Sequence, residues 1–221
     1  ARLSGFSADI AHELRTPLSN LITQTQVTLS QPRSSEVYFE ALHDNLEELQ
    51  QLSQMVNDML FLAKAEHGLL PTRCETLQLG PELHLLAEYY APLAEDRQVR
   101  LSVHGEATAS ADRGLLRRAL SNLIDNALRF TPPGGELRLT VSARDGQLCL
   151  EVANQGEPLA AEQCQRLFDR FYRADPARRE GNAEHAGLGL AITRSIVSAH
   201  GGEICCESAD GWTRFILELP A

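Results

Sequence analysis

His12, Glu13 and Thr16 stand together as H-E-x-x-T in a run whose apolar residues, Ile10 and Leu14 among them, recur at helical steps. At about 100° per residue, His12 falls on the face opposite Ile10 and Leu14, so its imidazole is expected in solvent. Thr16 shares that face one turn on, and Glu13 lies beside it. Pro17 removes one backbone hydrogen bond and is expected to kink the helix just past this group. A neutral imidazole nitrogen can attack a phosphoryl group while a carboxylate holds or removes the proton on the other nitrogen. A lone exposed histidine is more often an ordinary surface residue. The chemistry therefore needs a phosphoryl donor elsewhere in the chain.

A second set of residues could supply one. Asn122 and Asn126 are spaced i, i+4, with Arg129 three further on, along a helix whose other face (Leu116, Ala119, Leu120, Leu123, Ala127, Phe130) is apolar. Carboxamide oxygens suit Mg²⁺, a hard cation that keeps several waters and binds substrate phosphates, and a guanidinium binds phosphate oxygens. Asn126 is the expected ligand and Asn122 a second one. Asn154-Gln155-Gly156 closes a strand, and Gly187-Leu188-Gly189 opens a helix, where free N–H groups and the helix dipole favour negative charge. The G-x-G does not follow a strand directly, so a dinucleotide turn is rejected.

Two kinds of element must position these groups. Residues 1–68 read as a helical hairpin. Apolar residues recur first through Leu3, Phe6, Ile10, Leu14, Leu18 and Leu21, then through Leu42, Leu46, Leu49, Val56, Leu60 and Ala63. The break at 30–36 carries Pro32 and serine cap candidates. A two-helix hairpin cannot bury both faces alone, so two copies are expected to pair as a four-helix bundle. From 72 to 221 helix and strand patterns mix. Helices are expected over 81–93, over 115–130 with Asp112 as N-cap, and over 188–200 closed by Gly201-Gly202. Strands are expected at 99–103, 137–141, 148–152, 203–207 and 213–219, with a hairpin across Asp145-Gly146. The fold class is α+β, with helices covering one face of a mostly antiparallel sheet.

The net charge of −10 argues against a nucleic-acid partner, and Lys64 is the one lysine among 20 basic residues. Long cations on phosphate must then be arginines, unless Lys64 lies close. No apolar run reaches the ~20 residues of a membrane span, so membrane attachment is expected only through segments absent from this chain. The five cysteines lack ligand spacing, which makes a metal cluster an unpromising reading. Cys149 and Cys205 are expected as small buried hydrophobes, in keeping with a reducing cytoplasm.

The string Phe6-Ser7-Ala8-Asp9-Ile10-Ala11-His12-Glu13-Leu14-Arg15-Thr16-Pro17-Leu18 resembles the phosphoacceptor box of sensor histidine kinases. That resemblance implies His12 as the phosphorylated residue, Glu13 as its general base, and Thr16 as the group that positions water when the partner regulator is dephosphorylated. Asn122–Phe130 resembles the N box of that family's ATP-binding domain, which is shared with gyrase-type and heat-shock-chaperone ATPases. Leu167–Arg173 resembles the F box, the following polar stretch the lid, and Gly187–Ile192 the second glycine box. These boxes run in family order over essentially the whole chain. They imply an α/β-sandwich ATP-binding domain whose nucleotide contacts are Asn122, Asn126, Arg129, Phe130, Asn154, Gly156, Gly187, Leu188, Gly189 and Thr213.

The implied function is ATP- and Mg²⁺-dependent autophosphorylation of His12 in a homodimer. Transfer to an aspartate of a response regulator follows, with regulator phosphatase activity, in the cytoplasmic part of a bacterial inner-membrane protein. Gln24–Ser30 and the N-x-G motif are similar to the heavy-metal sensor subgroup. Three positions depart from the pattern. Asn154 stands where most members carry Asp, His185 where a glycine is usual, and Trp212 where G-T-x-F carries Gly, which puts the contribution of Thr213 in question. Those departures keep a degenerate nucleotide-binding scaffold open as one alternative. A conformational ATPase is another, disfavoured because those relatives place a glutamate where Asn122 stands.

Overall fold

The computed structural model describes residues 2–70, 72–144, 146–174 and 187–220, with the side chains of residues 2–13 and of Arg144 outside that set. Two compact units are present, one ending at Leu60 and one beginning at Phe61.

The first unit holds α1 (Arg2–Leu29) and most of α2 (Ser35–Glu66). α1 continues as one helix through Pro17. Polar pairs tie the two helices: Asn45 Nδ2 donates to Thr25 Oγ1 at 3.1 Å and Gln24 Nε2 to Asp44 Oδ2 at 3.3 Å. Leu21 on α1 and Leu52 and Met59 on α2 are buried. The regular apolar series on α2 is a different face. Leu42, Leu46, Leu49, Val56 and Leu60 are all exposed, as are Leu18, Ile22 and Val27 on α1. The sequence periodicity thus marks an outward stripe. The inward face of α2 is more mixed and includes Asn45.

The second unit is built on a five-stranded sheet ordered β2-β4-β5-β7-β6, comprising β2 (Arg100–His104), β4 (Glu136–Arg144), β5 (Gln147–Gln155), β6 (Glu203–Ala209) and β7 (Trp212–Pro220). β2 runs parallel to β4 and the other pairings are antiparallel. A separate two-stranded sheet pairs β1 (Glu75–Gln78) with β3 (Thr108–Ala111). α3 (Leu79–Asp96), α4 (Arg113–Phe130), α5 (Ala161–Arg166) and α6 (Gly189–Ala199) complete the unit. β1, β3 and α5 lie outside the sequence expectation.

α4 is the central helix. Its stripe Leu116, Ala119, Leu120, Leu123, Ile124, Ala127 and Leu128 is buried, in one cluster with Leu137, Leu139, Leu150, Val152 and Phe215 of the sheet, save Ala119. Each large apolar side chain buried there contributes about 1.5–3 kcal/mol. α3 packs beside α4, and burial pushes the Tyr90 phenol up to about 12, next to Ser121 and Asp125. Buried Glu82 on α3 is held by Arg113 and by Arg117 (2.8 Å), both on α4.

Asp112 joins three segments. Oδ1 accepts from the N–H of Leu115 at 3.0 Å, capping α4, and Oδ2 accepts from that of Arg73 at 2.8 Å. Its own N–H donates to His200 Nε2 at 2.9 Å, while His200 Nδ1 lies 2.8 Å from the Ile196 carbonyl at the end of α6. The ring proton therefore sits on Nδ1. The two backbone N–H groups on the Asp112 carboxylate hold it below the usual carboxylate range.

The cysteines differ from expectation. Cys205 is exposed and Cys149 half-buried, because both occupy the outer side of the sheet, whereas Cys164 on α5 is the buried one. No helix among the described residues is long and apolar enough to cross a membrane.

Candidate active site

α4 places Asn122 and Asn126 one turn apart on its half-exposed edge, because the opposite stripe is committed to the core. Asn122 Nδ2 donates to the Gly189 carbonyl at 3.0 Å, linking the N box to the start of α6. The amide nitrogen being so engaged, its Oδ1 is the end left to face a cation. Thr193, buried on α6, donates to the Gly189 carbonyl at 2.9 Å and also reaches the Ala119 carbonyl at 3.4 Å. α4 and α6 are thus locked where the two boxes meet. Arg129 stacks on the Phe130 ring, 5.5 Å from its centroid, at the last turn of α4.

The end of β5 approaches that last turn closely. A Cβ on Gly156 would lie 3.0 Å from the Phe130 carbonyl, so this glycine is the residue that lets strand end and helix end meet. Asn154 and Thr213 are register partners across β5 and β7, and both are buried. Asn154 Nδ2 donates to the Gln155 carbonyl at 3.1 Å, leaving Oδ1 as its acceptor end.

Trp212 does not crowd Thr213. Strand alternation sends it to the other face of the sheet, where the Arg138 guanidinium lies 4.8 Å from its ring centroid. The questioned contribution of Thr213 is therefore sterically unimpeded by the Trp-for-Gly departure.

The F box is an anchor. Phe168 is buried edge-on against Phe215, with ring centroids 6.2 Å apart. Beyond it, Phe171 takes a positive φ of 60° and its N–H donates to the Gly187 carbonyl at 3.1 Å. Gly187 has φ +70°, and a Cβ there would meet the Phe171 Cα at 3.0 Å. The two strands of chain that flank the lid are stapled together at this point, and Leu188, buried, leads directly into α6. His185 and the lid itself lie outside the described residues.

Asn122, Asn126, Arg129, Phe130, Asn154, Gly156, Gly187, Leu188, Gly189 and Thr213 all belong to the second unit. The contacts above bring the ends of α4 and β5, and the starts of β7 and α6, into one region. His12, Glu13 and Thr16 lie on α1 in the first unit, where the side chains of His12 and Glu13 are outside the described set and Thr16 is exposed.

Sequence reasoning passed over Ser208. It accepts from the Leu159 N–H at 2.9 Å and lies 3.3 Å from Thr213 Oγ1. The available signal was alternation: Ile204, Cys206 and Ser208 share the inward side of β6, and a hydroxyl at an inward position calls for partners.

A family model for the histidine kinase-, DNA gyrase B- and HSP90-like ATPases matches residues 111–221, and one for the His Kinase A (phospho-acceptor) domain matches residues 2–68. The chain belongs to the sensor histidine kinases. Sensor histidine kinase CusS of Escherichia coli strain K12 is 47% identical over 221 residues, covering 100% of this chain and 46% of the relative. Sensor protein CzcS of Cupriavidus metallidurans is 41% identical over 220 residues, 99% of this chain and 46% of that protein. These relatives place the histidine kinase in the heavy-metal sensor subgroup that Gln24–Ser30 resembles. The chain spans about half the length of the curated relatives it matches. Among solved structures, histidine kinase ThkA in complex with response regulator protein TrrA superposes with a TM-score of 0.79 at 21% identity, covering 99% of this chain and 63% of that one. That likeness is one of fold. ATP is the nucleotide of the matched ATPase family.

Proposed function

We propose that the chain is the cytoplasmic catalytic portion of a dimeric, membrane-anchored protein-histidine kinase in which ATP phosphorylates His12. Residues 1–68 act as the dimerisation and phosphotransfer hairpin and 72–221 as the catalytic, ATP-binding domain. One observation carries the reading: a phosphoacceptor histidine motif shares a chain with a nucleotide unit whose water-activating position is Asn122, an amide engaged by the Gly189 carbonyl. An amide cannot take a proton from water, so the nucleophile must come from elsewhere. His12 is suited to it.

In the reaction, an imidazole nitrogen of His12 attacks the γ-phosphorus in line. The N–P bond forms as the bond to the β-phosphate oxygen breaks, ADP leaves, and Glu13 accepts the imidazole proton. Asn154 and Thr213 hold the base. Arg129 and the N–H groups at Gly187, Leu188 and Gly189 bind phosphate oxygens. The oxygens of Asn126 and Asn122 suit Mg²⁺, which when bound would neutralise charge on the phosphates. Positioning and charge neutralisation supply most of the acceleration.

The exposed stripe of α2 pairs with a second copy in a four-helix bundle. The phosphoryl group then passes to an aspartate of a response regulator docked on the hairpin, the kind of partner named in the ThkA complex. Thr16 positions the water that hydrolyses the regulator's aspartyl phosphate, releasing inorganic phosphate. The parent protein sits in a bacterial inner membrane and responds to a heavy-metal ion through segments beyond this chain.

The test is incubation with γ-labelled ATP and Mg²⁺. Acid-labile, base-stable label is expected on wild type, none on His12→Gln, and at most ~1% of the wild-type rate on Asn126→Ala. Label retained by His12→Gln would overturn the reading.

A further inference from the structure

Asn154 and Thr213 face each other across β5 and β7, and each is fixed from behind, Asn154 by a backbone carbonyl and Thr213 by a side chain outside the family motifs. The Gln155 carbonyl accepts the Asn154 amide N–H, so the amide presents its oxygen and a flip would oppose two carbonyls. At Thr213 the neighbour is Ser208, 3.3 Å away, and one lone pair of Ser208 is already taken by the Leu159 N–H. We infer that Ser208 is a positioning residue: its hydroxyl proton goes to Thr213 Oγ1, leaving the Thr213 proton to point forward, so that Asn154 and Thr213 together present an acceptor beside a donor.

This polarity selects a nucleobase class. The 6-amino edge of adenine offers an N–H donor beside a ring-nitrogen acceptor, the complement of that pair. A 6-oxopurine offers an oxygen acceptor beside a ring N–H, the reverse at both positions. In a buried setting, two reversed hydrogen bonds leave polar groups unpaired, and discrimination follows from that cost more than from the bonds gained. Asn in place of Asp would by itself tolerate either edge, since an amide can donate as well as accept. The bond to the Gln155 carbonyl and the Leu159–Ser208–Thr213 chain remove that tolerance. The inference rests on the proposed nucleotide reading.

The experiment is competition of ATP and ITP against a fluorescent ATP analogue on the 1–221 chain, a binding readout independent of phosphoryl transfer. Wild type is expected to prefer ATP by about 10-fold or more. Ser208→Ala should bring that ratio down by about 3-fold or more, and Ser208→Thr should restore it to within about 2-fold of wild type, because a hydroxyl returns. A merely structural role for Ser208 would weaken both nucleotides alike and leave the ratio unmoved, which would overturn the inference. Equal affinity of wild type for ATP and ITP would also overturn it while leaving the nucleotide reading intact. Failure to bind either nucleotide would sink both together.

Discussion

The helical hairpin and the sheet unit contrast in where they keep their large apolar side chains. In the sheet unit Leu123, Ile124, Leu137, Leu139 and Leu217 are each 0% exposed, in one continuous cluster. On the hairpin, Leu42 is 68% and Leu46 and Leu49 52% exposed, while the inward face of α2 spends a position on Asn45. A unit that encloses its own core is stable alone. One that displays a leucine stripe longer than three turns depends on something to cover it. The lesson is that one amphipathic pattern can serve two purposes. Stability in the sheet unit is internal, and in the hairpin, on the proposed pairing with a second copy, it depends on concentration.

Four variants would break or sharpen that contrast. The largest effect is expected from Leu46→Asp with Leu49→Asp. Charges on the outward stripe should weaken self-association by about 1,000-fold or more, seen by sedimentation, while the sheet unit of the same 1–221 variant melts where it does in wild type. A wild-type chain that sediments as a monomer at all concentrations would end the comparison. Next comes Phe215→Ala, which removes the ring that Phe168 packs against. It should cost the sheet unit about 3–5 kcal/mol in denaturant while association stays unchanged. Glu82→Gln takes the shared carboxylate from Arg113 and Arg117, and about 1–2 kcal/mol is expected, since both arginines are more than 40% exposed. Any change in dimerisation constant from it would blur the distinction between the two units.

The smallest is Asp112→Ala, about 1 kcal/mol at neutral pH from a lost cap. Its pH dependence has a definite sign. The folded-state carboxyl is depressed, so its contribution is present above the unfolded value and disappears as pH falls through the folded one. The difference in Tm between wild type and variant should therefore narrow only below about pH 4.

Much of this molecule could be read from its letters, and what could not has identifiable causes. α4 was legible because a wide apolar stripe and Asp112 fall in one window. The β4–β5 hairpin was legible because Leu137-x-Leu139-x-Val141 and Leu148-x-Leu150-x-Val152 alternate cleanly. β1 and β3 were not, being four residues each and held by pairing with one another more than by a pattern. α5, at six residues, is too short to show a period. In α2 the period was correct but its direction was not inferable, since a stripe of leucines does not say which neighbour it meets. The nucleotide contacts were legible as motifs. Their supports were not: Ser208 lies five residues before Thr213, across a hairpin, and the outward turn of Trp212 follows from register alone.

The compact sheet unit begins inside α2, at Phe61. Phe61 carries the Arg118 guanidinium 4.2 Å over its ring, Leu62 is 1% exposed, and Glu66 pairs with Arg170 of the F box. A fragment cut at residue 72, where the mixed pattern starts, would take the Phe61 ring from Arg118 and the Glu66 carboxylate from Arg170. Anyone preparing this portion for inhibitor screening or crystallisation should retain the last two turns of the helix, because they are the threshold stone of the nucleotide domain.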